Sequence, residues 1–329
     1  MIGMEPQLII SNIMKSHGAG CSVGEFQAAV NLYFHEFESE IYDQKHASMW
    51  DSLPRQFSLL VDDWLAADPE PPRKIRLLDI GCGTGLAPDL MMKTAAGPWI
   101  RTVDLLDTSP AMLRRSAQRA VEWGKPFSCY RGLTDAIPPE NRYEVIVTCS
   151  VLHHIPDIAP FLADVASLQA PGGVFIHLQD PNGDCLNDPE LQARIREESD
   201  KEVLPTWLRR LHPSRIVGRM RRELTGKQGQ DYISKINRIL LQGRFITSPL
   251  SAMELFCITD IHINNGEGIS LARMKEWMPG YECVSSRSYA FWGKLESELL
   301  SPRRSQELEL VKARAANGLY IGGCWKRRS

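Results

Sequence analysis

The sequence predicts an α/β fold: a seven-stranded, mostly parallel sheet with helices on both faces, plus N-terminal helices and a helical cap insertion. Three observations predict it. Strand-like and helix-like runs alternate from residue 75 to about 180, the pattern of parallel strands joined by crossover helices. The first strand candidate runs into a turn with glycines at 81, 83 and 85, the kind of turn at which such sheets bind a ligand. Strand signals then stop over 183–260 and return near the end of the chain.

Taken in order, residues 1–68 form an N-terminal helical lid. Within 24–66, Phe26, Val30, Tyr33, Phe34, Phe37 and Ile41 recur at helical spacing and lay an aromatic stripe along one face. The stretch Asp68-Pro-Glu-Pro-Pro-Arg73 then breaks the helix. Residues 69–182 form the ligand-binding core. Its strands are expected at Ile75–Ile80, Ile100–Leu106, Phe127–Tyr130, Val145–Cys149 and Val174–Leu178, with helices at Leu86–Thr94, Pro110–Glu122 and Ile158–Leu168. Residues 183–260 read as a helical, substrate-facing cap that includes the basic segment 207–222. Residues 261–329 complete the sheet with strands at Tyr281–Trp292 and Leu319–Lys326 and a helix around 303–316.

Composition narrows the function. With 329 residues the chain has room for one α/β domain of roughly 200–250 residues and a modest extra element. A net charge of -2 gives it no general attraction to nucleic acid or to an anionic membrane. None of the eight cysteines forms a C-x-x-C pair, which argues for reduced thiols and against a zinc ribbon or a disulfide framework. No signal-peptide pattern opens the chain, and no apolar run reaches the ~18 residues of a membrane span, so a cytoplasmic protein with no membrane partner is expected.

The chemistry concentrates in Leu77-Leu-Asp-Ile-Gly-Cys-Gly-Thr-Gly85. Glycines at alternate positions let a ligand approach the backbone and let the chain turn tightly into a helix. The spacing G-x-G-x-G departs from the dinucleotide fingerprint G-x-G-x-x-G. Asp79, two residues before the loop, would repel a pyrophosphate and attract an ammonium group. Asp107 ends the next strand, about 20 residues or more beyond the first glycine, where a carboxylate accepts from ribose hydroxyls. Asp104 competes with it for that role, and a plain helix cap is the other reading of Asp107.

With these residues in place, the chain resembles the class I S-adenosyl-L-methionine (SAM)-dependent methyltransferases, a Rossmann-like family. The matching stretches are LDIGCGTG at 78–85, DTSPAML at 107–113, YEVIVTCSVLHHIPD at 143–157 and APGGVFIH at 170–177. The resemblance covers about residues 70–180 and implies SAM as cofactor and S-adenosylhomocysteine as product. It implies that Asp79, Gly81, Cys82, Gly83 and Gly85 line the methionine part and that Asp107 and Thr108 meet the ribose. Met112 would flank the adenine, with Cys149, Ser150 and His154 near the end of the fourth strand. An acid directly after the glycine at the end of the third strand is absent. Gly132 is followed by Leu133-Thr134-Asp135, so Thr134 and Asp135, or backbone atoms, are left for the adenine amine. Tyr33, with Phe34, Phe37 and Tyr42, is an aromatic that could reach the sulfonium from the N-terminal helices, core packing being the other reading of each.

On the acceptor side three histidines qualify as a general base. His154, in the pair His153-His154, and His177 both lie near the carboxyl edge of the sheet, each with a structural reading beside the catalytic one. His262 lies in the polar run Thr259-Asp-Ile-His-Ile-Asn-Asn-Gly-Glu267, whose alternation puts Asp260 and His262 on one face. That face suits a cavity wall, a metal or solvent, and Asp-x-His alone is too little to expect a metal. Orientation by itself lowers the barrier to methyl transfer, so no base is obligatory.

The expected reaction is methyl transfer to the O, N or C atom of a small-molecule acceptor, of natural-product or metabolite type and suggestive of secondary metabolism. A homodimer is compatible with aromatics left on the lid. Two alternatives remain: a nucleic-acid or protein methyltransferase, and a SAM-binding fold with a non-methylating reaction. Against the first stand the lack of an Asn/Asp-Pro-Pro-aromatic motif after the fourth strand and of a basic balance.

Overall fold

The computed structural model describes residues 6–201, 227–264 and 267–328. Before the sheet come α1 (Pro6–Ser16), α2 (Val23–Glu38), α3 (Tyr42–Lys45) and α4 (Ala47–Ala67). The core follows as β1 (Ile75–Ile80), α5 (Leu86–Met92), β2 (Ile100–Asp107), α6 (Pro110–Ala120), β3 (Phe127–Arg131), β4 (Tyr143–Cys149), α7 (Ile158–Leu168) and β5 (Gln169–Pro181). Next come α8 (Pro189–Lys201), α9 (Lys227–Gln242), α10 (Ala252–Thr259), α11 (Ile261–Asn264) and α12 (Leu271–Trp277). The chain closes with β6 (Tyr281–Tyr289), α13 (Arg303–Lys312) and β7 (Tyr320–Arg327).

The seven strands form one sheet in the order β3-β2-β1-β4-β5-β7-β6. Pairing is parallel from β3 through β5, and β7 runs antiparallel to both β5 and β6. The strand order reverses between β1 and β4, so a ligand crevice opens at the carboxyl ends of those strands. Alternate residues of the strands feed two apolar layers. Leu77, Val103, Val145, Ile176 and Leu178 pack toward α4 and α5, around Trp64 and Phe57. Leu78, Leu106, Ile146 and Phe175 pack toward α7 and α12.

A third apolar cluster lies away from the sheet. It joins Ile10 and Met14 of α1 and Phe26 and Val30 of α2 to Ile236, Leu240, Leu255 and Ile258 of α9 and α10. The lid and the inserted helices therefore share one core, which is why neither needs the sheet to bury its apolar stripe. Ser22 with Glu25, and Ser251 with Glu254, form capping boxes that start α2 and α10. Helix α1 has no strong signal in the sequence, because its apolar face is completed by α2 and by residues of α9 and α10 over 200 positions away. The basic segment 207–222 lies outside the described residues.

One buried carboxyl makes a stability prediction. Glu307 is 1% exposed and accepts from the backbone N–H groups of Ala290 (2.7 Å) and Phe291 (2.9 Å), yet burial pushes it up to about 7. The folded state thus holds a proton that the unfolded chain releases near the ordinary Glu value. Stability is lost as pH rises through about 7 and is fully regained below about 4.5, a change on the order of 3 kcal/mol. Thermal melts of wild type and Glu307→Gln between pH 5 and 8 check this: the wild-type midpoint falls across that range by more than the variant's.

Candidate cofactor and acceptor site

The glycine loop is fastened to the next strand. The N–H groups of Gly81 and Cys82 both donate to the Leu106 carbonyl, at 2.8 and 3.0 Å. Gly81 has φ 69°, and a Cβ there would meet Val151 at 2.7 Å. Gly83 has φ 50°, but a Cβ there would meet nothing within 4 Å. The first glycine is required by the fold; the second fronts open space. Gly85 caps the start of α5 in the left-handed region.

Two carboxylates flank this loop and differ in their surroundings. Asp107 is tied on both oxygens: Gly83 N–H donates to Oδ2 and Ser109 N–H to Oδ1, each at 2.8 Å. Burial still raises its carboxyl, opposed by those N–H groups. Asp79 is 1% exposed, and neither of its oxygens has a hydrogen-bond partner. Burial, and then the charge of Asp107, push it well above the usual carboxylate range. An orphaned buried carboxylate beside an open stretch of backbone is what a cationic amino-acid moiety fits. Asp104, the competitor of Asp107, accepts from the Tyr143 hydroxyl at 2.6 Å inside the sheet and is not available to a ribose.

Other expected cofactor residues fall in different places. Thr108 is half-buried next to Asp107, and Met112 is buried in the first turn of α6. Cys149 ends β4, its thiol pushed up by burial and then by Asp79 and Asp180. Ser150 follows in the left-handed region at φ 62°, a strained conformation for a serine at the edge of the crevice. Thr134 donates its hydroxyl to Asp164 of α7 at 2.7 Å, and Asp135 is exposed beside it. Tyr33 packs against the apolar cluster of the lid.

The part of the lid that meets the core is a different face of the same helices. Glu36 accepts from Ser109 Oγ (2.9 Å) and Ala111 N–H (3.2 Å), and Asp43 accepts from Thr84 and from Arg119 (2.6 Å). His35 is raised: burial disfavours its imidazolium, but Glu38 beside it, with the charges of Asp107 and Asp260, outweighs that. The Tyr42 hydroxyl is pushed well up by burial, then by Glu38 and Cys149. The sequence reading singled out Tyr42 as an aromatic and missed His35, Glu36, Glu38 and Asp43. The signal was present as polar groups at 35, 38 and 42, at helical spacing opposite the aromatic stripe.

The three candidate histidines are separated by their partners. His177 is fully buried in β5, stacked on Phe175 and next to Gly323. It sits behind Asp180, with Nδ1 3.6 Å from Oδ2. His262 is buried with Nε2 2.7 Å from the Ile155 carbonyl and Nδ1 3.6 Å from Glu267. Its ring ties α11 to the loop after β4. His154 is half-buried, and its Nδ1 donates to the Thr259 carbonyl at 2.7 Å. Burial, then His153 and His35, hold His154 well below the ordinary histidine value, so its ring is neutral.

A cleft of about 370 Å³ lined by Asp68, Glu144, Gly172 and Lys326 lies at the opposite, amino-terminal edge of the parallel strands. Nothing in its lining matches the chemistry gathered at the carboxyl edge. No described helix is long and apolar enough to cross a membrane.

A family model described as a methyltransferase domain matches residues 49–223, more than half of the chain. The ubiquinone biosynthesis O-methyltransferase of Methylobacterium nodulans is 31% identical over 109 residues, covering 32% of this chain and 41% of that protein. The enzyme of the same name from a Caulobacter species is 34% identical over 107 residues, covering 31% and 39%. The chain thus spans about two fifths of the length of these curated relatives. Among solved structures, the plantazolicin methyltransferase BpumL in complex with SAH aligns with 97% of this chain and 99% of its own, at TM-score 0.48 and 10% identity. A Galdieria sulphuraria structure described as a putative sarcosine dimethylglycine methyltransferase aligns with 84% and 86%, at TM-score 0.44 and 17% identity. With the family model matched over more than half its length, the chain belongs to the methyltransferase domain family, the class I, Rossmann-like, SAM-dependent methyltransferases.

Proposed function

We propose that this protein binds SAM at the glycine loop and transfers its methyl group to a small-molecule acceptor held under the lid and the inserted helices. The observation that carries the reading is Asp79: a buried carboxylate, unpartnered on both oxygens, next to the open backbone of Gly83. Asp79 would hold the ammonium of the methionine moiety, and Asp107, already aligned by Gly83 and Ser109, would accept from the ribose hydroxyls. Gly81, Cys82, Gly83 and Gly85 would border the methionine part, Thr108 the ribose and Met112 the adenine, with Thr134 and Asp135 as the side chains nearest the adenine amine. Cys149 and Ser150 would lie by the reactive end. Tyr33 keeps a role only as support for the lid that closes on it.

SAM supplies an electrophilic methyl on a sulfonium. The chain's own contribution is to orient the nucleophile in line and to exclude water, which accounts for several kcal/mol of barrier lowering. A small acceptor is favoured because lid and insertion share a core, Glu36 fastens α2 to the start of α6, and Asp43 fastens α3 to the glycine loop and to α6. That arrangement favours an enclosed acceptor site over an open groove. The named relatives favour a hydroxyl as the accepting group, since two of them are O-methyltransferases by name.

Calorimetric titration with SAM and with S-adenosylhomocysteine tests the reading. The wild type is expected to bind both with micromolar affinity, and Asp107→Ala to weaken both at least tenfold, from loss of charge-assisted bonds to the ribose. A folded wild type that binds neither would overturn it.

A further inference from the structure

On the acceptor side, the loop after β4, the end of β5 and the end of α10 bring together His153, His154, Asp180 and Asp260. His153 and Asp260 are buried and His154 is half-buried. Asp180 is fully enclosed, beside both His153 and His177. His153 Nδ1 lies 2.9 Å from Asp180 Oδ1 and therefore donates to it. In the neutral ring Nε2 then carries a lone pair, and that lone pair faces Asp260 Oδ1 at 3.6 Å. His154 Nδ1 stands 3.5 Å from the same oxygen. Two donors bound about 2.0–2.1 Å from a tetrahedral ion lie roughly 3.3–3.4 Å apart. Asp260 Oδ1 thus stands near ligand spacing from both nitrogens, and the three ligand atoms lie within 4.8 Å of one another.

We propose that His153 Nε2, His154 Nδ1 and Asp260 form a binding site for one divalent transition-metal ion of the Zn²⁺ class. Two imidazoles and one carboxylate are a donor set that such ions favour over Mg²⁺ or Ca²⁺. Asp180 holds the supporting position, fixing the tautomer and orientation of His153 through its other nitrogen. His154 must exchange one interaction to take part: Nδ1 now donates to the Thr259 carbonyl at 2.7 Å. On metal binding that proton moves to Nε2 of the same ring, which stays neutral, and the ion takes its place beside the carbonyl. An acceptor hydroxyl bound to such an ion would lose its proton more readily. The role toward an acceptor rests on the proposed methyl transfer; the metal site itself does not.

The test is titration of chelator-treated full-length protein with Co²⁺, a spectroscopic stand-in for Zn²⁺, with bound metal quantified by elemental analysis. The expected result is one ion per chain, with the intense visible bands of a four- or five-coordinate ion. Asp180→Asn should weaken binding about 10- to 100-fold, and Asp260→Asn and His153→Gln by more. Circular dichroism and a SAM titration on the same samples show that each variant is folded. His154→Gln provides a second ligand variant if one of the buried substitutions fails to fold. A wild type showing only the weak spectrum of hexaaqua Co²⁺, or ligand variants that bind as the wild type does, would overturn the proposal. Either result with SAM binding intact leaves the methyltransferase reading standing.

Discussion

Asp79→Asn is expected to do two opposite things: stabilise the ligand-free protein and weaken SAM binding about 10- to 100-fold. Both follow from one environment. The Asp79 carboxylate is buried with no partner on either oxygen, and burial together with Asp107 raises its pKa well above the ordinary value. A raised folded pKa means that the ionised form is disfavoured in the native state. Its stability contribution therefore grows as pH falls through the folded pKa, and above it the charge is a net liability. Asparagine removes that charge at nearly constant volume, so the melting midpoint of the ligand-free protein should rise by about 2 °C or more. With SAM present the sign reverses. An ammonium opposite an ionised Asp79 makes a charge-assisted bond of about 1.5–3 kcal/mol, and asparagine forfeits most of it. The wild type should also lose SAM affinity as pH falls through the Asp79 pKa, because the ligand needs the ionised form; the variant should not. Paired melting and calorimetry from pH 5 to 8 read all three effects. Wild-type SAM affinity in Asp79→Asn would remove Asp79 from the site.

How much of this was legible in the sequence depends on the separation over which each feature is determined. The strand Ile75–Ile80 and the helix Ile158–Leu168 were readable to the residue, because their periodicity and their breakers lie within the segment itself. β5 runs from Gln169, well ahead of the expected Val174, since its early residues pair across a register shift with β4 that no local pattern reports. Asp107 and Asp104 could be told apart only by their partners: the backbone of Gly83 for one, Tyr143 for the other. The same holds for the histidines. His154 meets a carbonyl 105 positions away and His262 one 107 positions away, so their ring nitrogens acquire roles only when the chain is folded. His177 carries both a core and a catalytic reading, because an apolar strand with one histidine reads alike whether its polar face meets a cavity or a packed interior. The lid was the larger miss. Its aromatic stripe drew attention, but that stripe serves the core shared with α9 and α10, while Glu36 and Asp43 fasten the lid to α6 and to the glycine loop.

Gly81→Val and Gly83→Val should separate the two demands placed on the glycine loop, although the residues are two apart and both have positive φ. In each, a β-branched residue in the left-handed region costs about 1–2 kcal/mol. At Gly81 the new Cβ lies 2.7 Å from the Val151 side chain, whose own position is set by the start of the His153–His154 turn. Overpacking there adds about 1–3 kcal/mol, so the total loss of stability is about 2–5 kcal/mol. At Gly83 a Cβ meets nothing within 4 Å, so backbone strain is the main cost and the protein should stay folded. The space it enters is the space left for the methionine part of the cofactor, alongside the N–H that fixes Asp107. A side chain there shifts the ligand off the backbone, and a displacement of about 1 Å in a positioned ligand costs roughly 100-fold. Gly83→Val should thus melt within a few degrees of the wild type while SAM affinity drops about 100-fold or more, and Gly81→Val should show the larger fall in melting midpoint. Denaturant melts and SAM calorimetry on the two variants decide it. Tight SAM binding by a folded Gly83→Val would mean that the cofactor approaches the sheet from elsewhere, since a ligand lying over this loop has no room for the valine.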